Sequence, residues 1–307
     1  MTTANPYTLY LSRLAPNSRR SIESQMRSVG RLMDWPDSAI GIRLSNIDYQ
    51  TAMQIRALLI HEDWSARSVN RAMTAIKSIV KVAALMGKAD MQQVTHISSI
   101  QNMKHGAHQG TPLTVGQVND LFEVLGRHKS IYGIRMQAIF ALFLGTGLRR
   151  SELAALTMED YDSTKSAITV VAGKGNKSRV LFLPLWVDQH LCQWLQQRTL
   201  KPGKLICKCS ITGMLDHSRS VSSHTLYRLV RDNLDAIGVS GASPHDLRRT
   251  FITRLLEQNI DINTVRQMAG HADISTTTIY DKRGDAFMRE AAAALNYSPN
   301  NTTRNRG

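Results

Sequence analysis

The segment from Ser65 to Met86 constrains the fold of this chain more than any other stretch of the sequence. Apolar residues recur along it so that, at about 100° per residue, they fall on one side of an α-helix. They are Val69, Ala72, Met73, Ile76, Ile79, Val80 and Ala83. Ser65 is suited to cap the start of this helix, and Gly87 stands just past its end. The segment therefore predicts a long helix with one buried face, which neighbouring helices must cover.

The opposite side of this helix is basic. Its cations, which we call the basic face, are Arg67, Arg71, Lys77 and Lys81. Such a stripe is most commonly a solvated surface. It is equally suited to lie along a DNA backbone, because each cation that contacts a phosphate releases condensed counterions.

Two shorter helical patterns precede this segment, at residues 17–33 and 47–60. Residues 89–112 are polar and lack a sustained period, which favours a linker. We therefore expect four regions along the chain. They are a helical N-terminal domain at 1–105, a linker at 106–112, a second domain at 113–297 and a flexible tail at 298–307.

The second domain shows mixed patterning. Thr114 with Gln117 forms a capping-box pattern, and the apolar run 134–144 predicts a buried helix. β-Rich runs at 167–172 and 179–183 predict a hairpin, whose basic tip is Gly173-Lys174-Gly175-Asn176-Lys177. Everything after Pro184 returns to helical patterning. We expect a mainly α fold, in which a helical N-terminal domain precedes a mixed, mostly α domain with a small antiparallel β-sheet.

The charge of the chain favours a polyanionic partner. The formal net charge is +14, from 38 Lys and Arg against 24 Asp and Glu. The excess is spread over both parts, because residues 1–105 hold 13 basic and 7 acidic residues, and residues 106–307 hold 25 and 17. A positive surplus on both parts is expected of a protein that binds nucleic acid.

The sequence also indicates a cytoplasmic protein without membrane contact. No apolar run approaches the roughly 18 residues of a membrane span, and the N-terminus lacks the pattern of a signal peptide. The 3 cysteines are too few for a disulfide framework in a chain of 307 residues. Cys207 and Cys209 with His217 and His224 lack the spacing of a structural zinc site, so we expect free thiols and no metal.

A helix start at residues 243–249 brings two polar side chains together. Ser243 is suited to cap the helix and Pro244 to its first position. His245 and Arg248 are three residues apart, so they project on one face near a helix N-terminus, where backbone N–H groups favour an anion. The alternative is a surface histidine beside an arginine that pairs with a nearby carboxylate.

Two further segments favour the anion site. In residues 145–153 a helix end and a tight turn are followed by a new helix start, with Arg149 at the turn. In residues 269–280, Gly270 ends one helix, and His271 and Tyr280 stand nine residues apart across the break.

Together these segments resemble the tyrosine recombinase (phage integrase) family. Four motifs occur in family order and at family-like separations, which makes the resemblance specific although each motif alone is weak. They are Thr146-Gly147-Leu148-Arg149-x-Ser151-Glu152-Leu153, Gly173-Lys174-Gly175-Asn176-Lys177, His245-x-Leu247-Arg248, and Gly270-His271 followed by Thr276-Thr277-x-x-Tyr280. The N-terminal helices are similar to the family's core-binding domain by pattern only.

The resemblance implies a role for each motif residue. Tyr280 would be the nucleophile that attacks the scissile phosphate and forms a 3′-phosphotyrosyl bond. Arg149 and Arg248 would clamp that phosphate, because a planar guanidinium grips two oxygens at once. His245 would hydrogen-bond the phosphate and manage the tyrosine proton. His271 would be a second hydrogen-bond donor to the phosphate.

Supporting roles follow from the same resemblance. Lys174 on the hairpin tip would protonate the leaving 5′-oxygen, and Glu152 would orient an arginine or a histidine. Lys177 and the basic face would contact DNA. No metal or other cofactor is implied, because the arginines neutralise the charge that builds on the phosphate oxygens.

The implied function is site-specific recombination of double-stranded DNA, with the domain at 113–297 as the catalytic one. Arg249 stands where many relatives have His, and Asp281-Lys282-Arg283 stand where Xer-type relatives usually have a Thr-His pair after the tyrosine. These departures favour integration or excision of a mobile element over Xer-like resolution. Less favoured alternatives are a type IB topoisomerase and a non-catalytic DNA-binding regulator, against which the intact motif set argues.

The resemblance also implies partners. An Ala-rich pattern at 285–297 predicts a helix, which either packs on its own chain or, as is frequent in the family, docks on a neighbouring protomer. We expect a homo-tetramer on two DNA sites, with accessory DNA-bending or directionality factors.

Overall fold

The computed structural model of the chain divides into two compact units, Met1–His108 and Gln109–Gly307. Each unit has its own apolar core. Across the described residues, no helix combines the length and the apolar character needed to cross a membrane. The residues that the structure describes are 5–104, 110–171, 178–210 and 212–281, together with Arg289 and Ala292.

The N-terminal unit is built from helices that cover one another's apolar faces. The helices among residues 5–104, labelled α1 to α6 in chain order, are Pro6–Ser12, Pro16–Leu32, Ile40–Ser45, Tyr49–His61, Ala66–Leu85 and Met91–Ser98. Helices α2, α4 and α5 correspond to the three predicted helices. The prediction of a linker from residue 89 onward is wrong for α6, because its Ile97 is fully buried in the core. A short helix with one buried residue has no repeating apolar pattern from which it could be predicted.

Helix α5 is the centre of this unit. The Ser65 hydroxyl accepts a hydrogen bond from the Ser68 N–H at 3.2 Å, which caps the helix as predicted. All seven residues of the predicted apolar face are buried in the core. On the basic face Arg67, Arg71 and Lys81 are exposed. The fourth cation, Lys77, is only partly exposed and has partners inside the unit.

The Lys77 amine is bound at the end of helix α6. It donates hydrogen bonds to the backbone carbonyls of Ser98, at 3.3 Å, and Ile100, at 2.5 Å. A cation is stabilised there because carbonyls at a helix C-terminus carry partial negative charge. The basic face therefore presents three exposed cations, while the fourth links two helices.

The second unit combines helices with two small antiparallel sheets. Its helices among the described residues, α7 to α14, are Val115–Gly126, Ile131–Thr146, Arg150–Ala155, Leu185–Arg198, Ser223–Asp235, Pro244–Glu257, Ile262–Ala269 and Ser275–Thr278. Its strands, β1 to β5, are Tyr161–Asp162, Ala167–Val170, Arg179–Phe182, Cys207–Cys209 and Leu215–Ser220. The expected mainly α fold with a small antiparallel sheet is confirmed.

The predicted hairpin is present as β2 and β3. They pair antiparallel, with Ala167 opposite Phe182 and Val170 opposite Arg179, and β1 joins the other edge of β2. The basic tip with Lys174 and Lys177 lies outside the described residues. The prediction that everything after Pro184 is helical is wrong, because β4 and β5 form a second sheet. Strand β5 is mostly polar, so it lacks the alternation of apolar and polar residues from which a strand is predicted.

Helix α8 forms the core of the second unit. Every residue from Ala138 to Thr146 is buried, and the helix packs on α10 and α12. It ends at Gly147, which has a φ of 62°. A Cβ atom on Gly147 would lie 2.3 Å from the Phe251 ring. Glycine is therefore needed here for both the left-handed backbone and the close approach, and the turn delivers Arg149 to the next helix.

Candidate active site

Three segments that are far apart in sequence meet at the C-terminal end of helix α13. Arg149 follows the turn at Gly147 and caps α9. Arg248 lies in the second turn of α12, and Gly270 ends α13 with a φ of 68°. The structure therefore brings together the motif residues of three of the four segments that the sequence analysis singled out.

Three arginines from different elements bind three consecutive backbone carbonyls at this helix end. The pairs are Arg179 Nε with Met268 at 3.0 Å, Arg248 Nη2 with Ala269 at 2.5 Å and Arg149 Nη2 with Gly270 at 2.7 Å. The last carbonyls of a helix lack intrahelical partners and carry the negative end of its dipole, so they stabilise nearby cations. We call Arg149, Arg179 and Arg248 the arginine cluster.

Glu152 supplies the negative side chain of the arginine cluster. It accepts hydrogen bonds from the Arg149 backbone N–H at 2.7 Å and from Arg149 Nη1 at 2.8 Å. Arg179 binds both carboxylate oxygens, at 3.0 and 2.9 Å. Burial by itself raises the pKa of Glu152, but the bonds from Arg179 and Arg149 outweigh it and lower the pKa to about 2. An ionised Glu152 thus fixes the two arginines in one geometry.

Arg179 is not among the residues that the sequence analysis selected. It begins strand β3, and its side chain is 11% exposed. A Cβ on Gly270 would lie 2.7 Å from Arg179 Nη1, so the glycine leaves room for this arginine. The one signal in the sequence is an arginine two residues after the basic tip. Its role is not readable there, because its partners stand 27 and 89 residues away.

Arg248 is the most buried member of the arginine cluster, with 3% of its surface exposed. Besides its bond to α13, its Nη1 donates to the Gly147 carbonyl at 2.6 Å. Burial, and then the neighbouring charge of Arg149, lower the pKa of Arg248 to about 10. The guanidinium is therefore still protonated at neutral pH and ties the turn after α8 to α12 and α13.

His245 lies in the first turn of α12, beside these cations. Burial lowers the pKa of its imidazole. The charges of Arg249, Arg248 and Arg149 lower it further, and Asp246 opposes them. Because the pKa lies below the ordinary value near 6.5, the ring is mainly neutral at pH 7 and is able to accept a proton.

His271 directly follows the carbonyls that the arginine cluster binds. Burial, and then the charges of Arg248 and Arg149, lower the pKa of His271 to about 4. Its Nδ1 lies 2.9 Å from the hydroxyl oxygen of Thr277. The imidazole is therefore neutral at pH 7, with one ring nitrogen bound within the protein.

Tyr280 is held at the edge of the small core formed by α12 and α13, and 7% of its surface is exposed. Its ring stacks on that of His271, with centroids 6.3 Å apart and planes inclined by 19°. The guanidinium carbon of Arg249 lies over the Tyr280 ring at 5.1 Å from its centroid. A tyrosine, two histidines and several arginines are thus collected in one region.

A cavity of about 280 Å³ opens beside the arginine cluster. Its lining residues come from the turn after α8, from α11 and from the start of α12. They are Leu148, Arg149, Arg150, Tyr227, Ser243, Pro244, His245 and Arg248. The guanidinium groups of three arginines and one neutral imidazole give this cavity the character of an anion site.

Other candidate residues lie elsewhere or are not described. Lys174 and Lys177 fall outside the described residues, and the basic face belongs to the N-terminal unit. Within the parts of the chain that the structure describes, no three His, Cys, Asp or Glu side chains are grouped to hold a metal ion. Cys207 lies buried on β4, and Cys209 is partly exposed.

Comparison with known proteins identifies relatives over most of the chain. A model of the phage integrase family matches residues 111–286. Tyrosine recombinase XerA of Pyrococcus furiosus is 30% identical over 249 residues, which are 81% of this chain and 81% of that protein. Tyrosine recombinase XerD of Staphylococcus saprophyticus is 30% identical over 253 residues, which are 81% of this chain and 83% of that protein.

A solved structure has a similar fold. The integrase of the transposon Tn1549, determined in complex with a circular intermediate DNA, superposes with a TM-score of 0.72 at 17% identity. The match covers 95% of this chain and 100% of that one. At this identity the likeness shows the fold alone.

Proposed function

The chain belongs to the phage integrase family, and from this premise we propose that its active site is the region around the arginine cluster. As a member of that family with tyrosine recombinase relatives, the protein is a site-specific recombinase that binds DNA. It cleaves and rejoins DNA through a 3′-phosphotyrosyl intermediate. The proposal concerns which residues of this chain perform each step.

The observation that carries the proposal is the binding of three arginines to three consecutive carbonyls. Each terminal nitrogen of a guanidinium has two N–H groups. Arg149 and Arg248 each use both terminal nitrogens for bonds within the protein, yet each nitrogen keeps a further N–H for a ligand. Both arginines line the cavity, so they are fixed before a phosphate arrives. Donors that need no rearrangement stabilise a transition state most effectively.

These positions support the following chemistry, in which the role of Lys174 is taken from the family resemblance. The phenol oxygen of Tyr280 attacks the scissile phosphorus, and the bond from phosphorus to the 5′-oxygen breaks. Negative charge builds on the non-bridging oxygens, where Arg149 and Arg248 neutralise it. Neutral His245 takes the phenol proton, since a base with a lowered pKa is unprotonated at pH 7. Lys174 delivers a proton to the 5′-oxygen as it leaves.

His271 has a separate role in this scheme. In the tautomer in which Nδ1 accepts the hydrogen bond from the Thr277 hydroxyl, the neutral ring carries its proton on Nε2, which is then able to donate to a phosphate oxygen. His271 also stacks on the Tyr280 ring. One residue therefore contacts both the phosphate and the nucleophile.

The test is the covalent adduct. A duplex that the chain selects from a random library is nicked near the cleavage point, so that the cleaved end diffuses away and the adduct accumulates. We expect wild-type protein to form an adduct and Tyr280→Phe to form none, because the nucleophilic oxygen is removed. Tyr227→Phe is the matched control, since this tyrosine lines the cavity. An adduct that persists in Tyr280→Phe and is absent in Tyr227→Phe would reassign the nucleophile.

The biological reaction we propose is integration or excision of a mobile element. The departures at Arg249 and at Asp281 to Arg283 support it. Xer-like resolution is the second candidate, and the identity to XerA and XerD supports that one. The assay is strand exchange between a supercoiled circle and a linear duplex, each with one selected site. Both recombinase readings differ here from a topoisomerase, which relaxes the circle without joining it to the duplex. Efficient resolution of two sites on one circle without intermolecular joining would favour the Xer-like reaction.

We propose that the protein acts on its double-stranded DNA sites as a homo-tetramer joined through residues 285–297. Apart from Arg289 and Ala292, this segment lies outside the described residues, and its Ala-rich sequence with Phe287, Met288 and Leu295 supports the proposal. Accessory DNA-bending or directionality factors would then select integration or excision.

Truncation tests this assembly. Removal of residues 285–307 is expected to abolish the complex that contains two duplexes while leaving binding to one duplex nearly unchanged. Gel-shift titrations with one and two duplexes measure both. Equal weakening of the two complexes would argue that the segment stabilises the protomer instead.

A further inference from the structure

Arg249 directly follows the His245-x-Leu247-Arg248 motif, and the proposed chemistry gives it no role. It follows Arg248 directly in α12, at the position where the sequence departs from the pattern of many relatives. Its side chain is nevertheless 13% exposed, nearly as buried as that of Arg179. A charged side chain is seldom buried without partners, so the contacts of Arg249 indicate what it does.

The guanidinium of Arg249 contacts the Tyr280 ring. Its central carbon is 5.1 Å from the ring centroid, within the range at which an arginine is attracted to an aromatic face. Its Nε is 3.8 Å from Oδ1 of Asp246, which is longer than a hydrogen bond. The closer partners of that carboxylate are the backbone N–H of Ser243, at 3.0 Å, and the Ser243 hydroxyl, at 2.7 Å. Asp246 is therefore a nearby opposite charge for Arg249, and its carboxylate is held mainly by Ser243.

We propose that Arg249 is a positioning residue for Tyr280, holding the phenol ring against α12 so that its oxygen is aligned for attack. This inference rests on the proposed function, in which Tyr280 is the nucleophile. The ring has two such neighbours, since His271 stacks on it from the loop after α13. In-line attack requires reacting atoms about 3 to 3.5 Å apart, and a displacement of about 1 Å can slow a reaction 10²-fold.

Arginine is suited to this contact for two reasons. Its planar guanidinium stacks on an aromatic face, which a lysine amine does less well. Its positive charge also lies near His245, one helical turn earlier. The charged groups that face His245 are Arg249, Asp246, Arg248 and Arg149, and His271 is the nearby titratable ring. Among the neighbouring charges, that of Arg249 lowers the pKa of His245 the most, so removing it should raise that pKa.

The experiment compares Arg249→Met, which removes the charge and the plane, with Arg249→Lys, which keeps the charge. Arg254→Met is the matched control, because Arg254 lies on the same helix and pairs with Glu257 at 2.7 Å. Adduct formation on the nicked duplex is measured at saturating protein as a function of pH. Thermal unfolding and duplex affinity are measured for every variant.

We expect Arg249→Met to form adduct about 10- to 100-fold more slowly, with unchanged duplex affinity. The acid limb of its pH profile should move to higher pH, since His245 then protonates more readily. Arg249→Lys should keep the wild-type acid limb with an intermediate rate, and Arg254→Met should match the wild type. A merely structural role would not move the acid limb and would lower stability and affinity together with the rate.

A second measurement separates this inference from the nucleophile assignment. In the DNA-free full-length chain, nitration of Tyr280 by tetranitromethane at fixed pH should increase several-fold in Arg249→Met and remain low in Arg254→Met. If wild-type protein forms no adduct at Tyr280 yet nitration rises, the proposed function fails while the packing of Arg249 on the ring stands. An Arg249→Met protein with wild-type nitration, rate and acid limb would overturn the inference.

Discussion

Two regions of this protein use positive charge in opposite ways. On helix α5, Arg67, Arg71 and Lys81 stand exposed on the outer side of a helix whose other side is core. At the end of α13, the arginine cluster is bound to backbone carbonyls and to Glu152. Exposed cations keep their mobility and their hydration. Cations fixed by neighbouring carbonyls lose mobility when the protein folds, and Arg248, with 3% of its surface exposed, also loses most of its hydration.

The two environments suit the two regions to different tasks. A mobile surface cation contributes affinity by releasing counterions from DNA, and that contribution falls as salt rises. A guanidinium that is fixed by hydrogen bonds within the protein adds little sequence-independent affinity, but it stabilises charge at one place without rearranging. We therefore expect the α5 cations to control how tightly DNA is held, and the arginine cluster to control how fast it is cleaved.

Shortening an arginine of the cluster should have the largest effect on catalysis. Arg149→Ala and Arg248→Ala should each slow adduct formation about 10²- to 10³-fold, because the developing charge then lacks a preorganised donor. Duplex affinity should change little. Arg127→Ala is the control, since Arg127 is exposed and pairs with Glu123. Affinity that falls in step with the rate would show that the two regions do not divide these roles.

Acid should weaken the arginine cluster by protonating Glu152, whereas the α5 cations keep their charge at low pH. The pKa of folded Glu152 is about 2, below its ordinary value of 4.5. Its contribution to stability is therefore complete above pH 4.5 and is lost as the pH falls toward 2. That contribution is roughly 3 kcal/mol. Urea unfolding of wild type and Glu152→Gln between pH 6 and 3 should give a difference that shrinks with acid. A constant difference would contradict the ionised network.

The α5 cations should determine how steeply DNA binding depends on salt. Replacement of Arg67, Arg71 and Lys81 by Ala should reduce the slope of log affinity against log salt by about 0.9 for each phosphate that these cations neutralise. Cleavage at saturating protein should stay unchanged. Arg19→Ala is the control, because Arg19 pairs with Glu23 at 3.0 Å. Lys77→Ala should lower the stability of the N-terminal unit and leave the slope unchanged, since its amine is bound at the end of α6. If the variant that lacks Arg67, Arg71 and Lys81 kept the wild-type salt slope, the DNA would not contact these cations.

Much of the fold follows from local patterns in the sequence. Ser65 caps α5 and Thr114 forms a capping box with Gln117, as predicted. These interactions join residues three apart, so they depend on little beyond the chain itself. The second sheet and helix α6 escape prediction, because β5 is polar and α6 buries only Ile97. Their stability comes from partners distant in sequence.

Residue type, order and spacing along the chain identify the residues available for chemistry, which are Arg149, Glu152, His245, Arg248, His271 and Tyr280. Their contacts with one another become visible in the folded protein. The tertiary structure added Arg179 as the bidentate partner of Glu152, set Arg249 over the Tyr280 ring, and bound Lys77 to the end of α6. The physical reason is the range of each interaction. Helix caps and turns are fixed by neighbours along the chain, whereas the partners of a buried cation are chosen by the packing of whole elements.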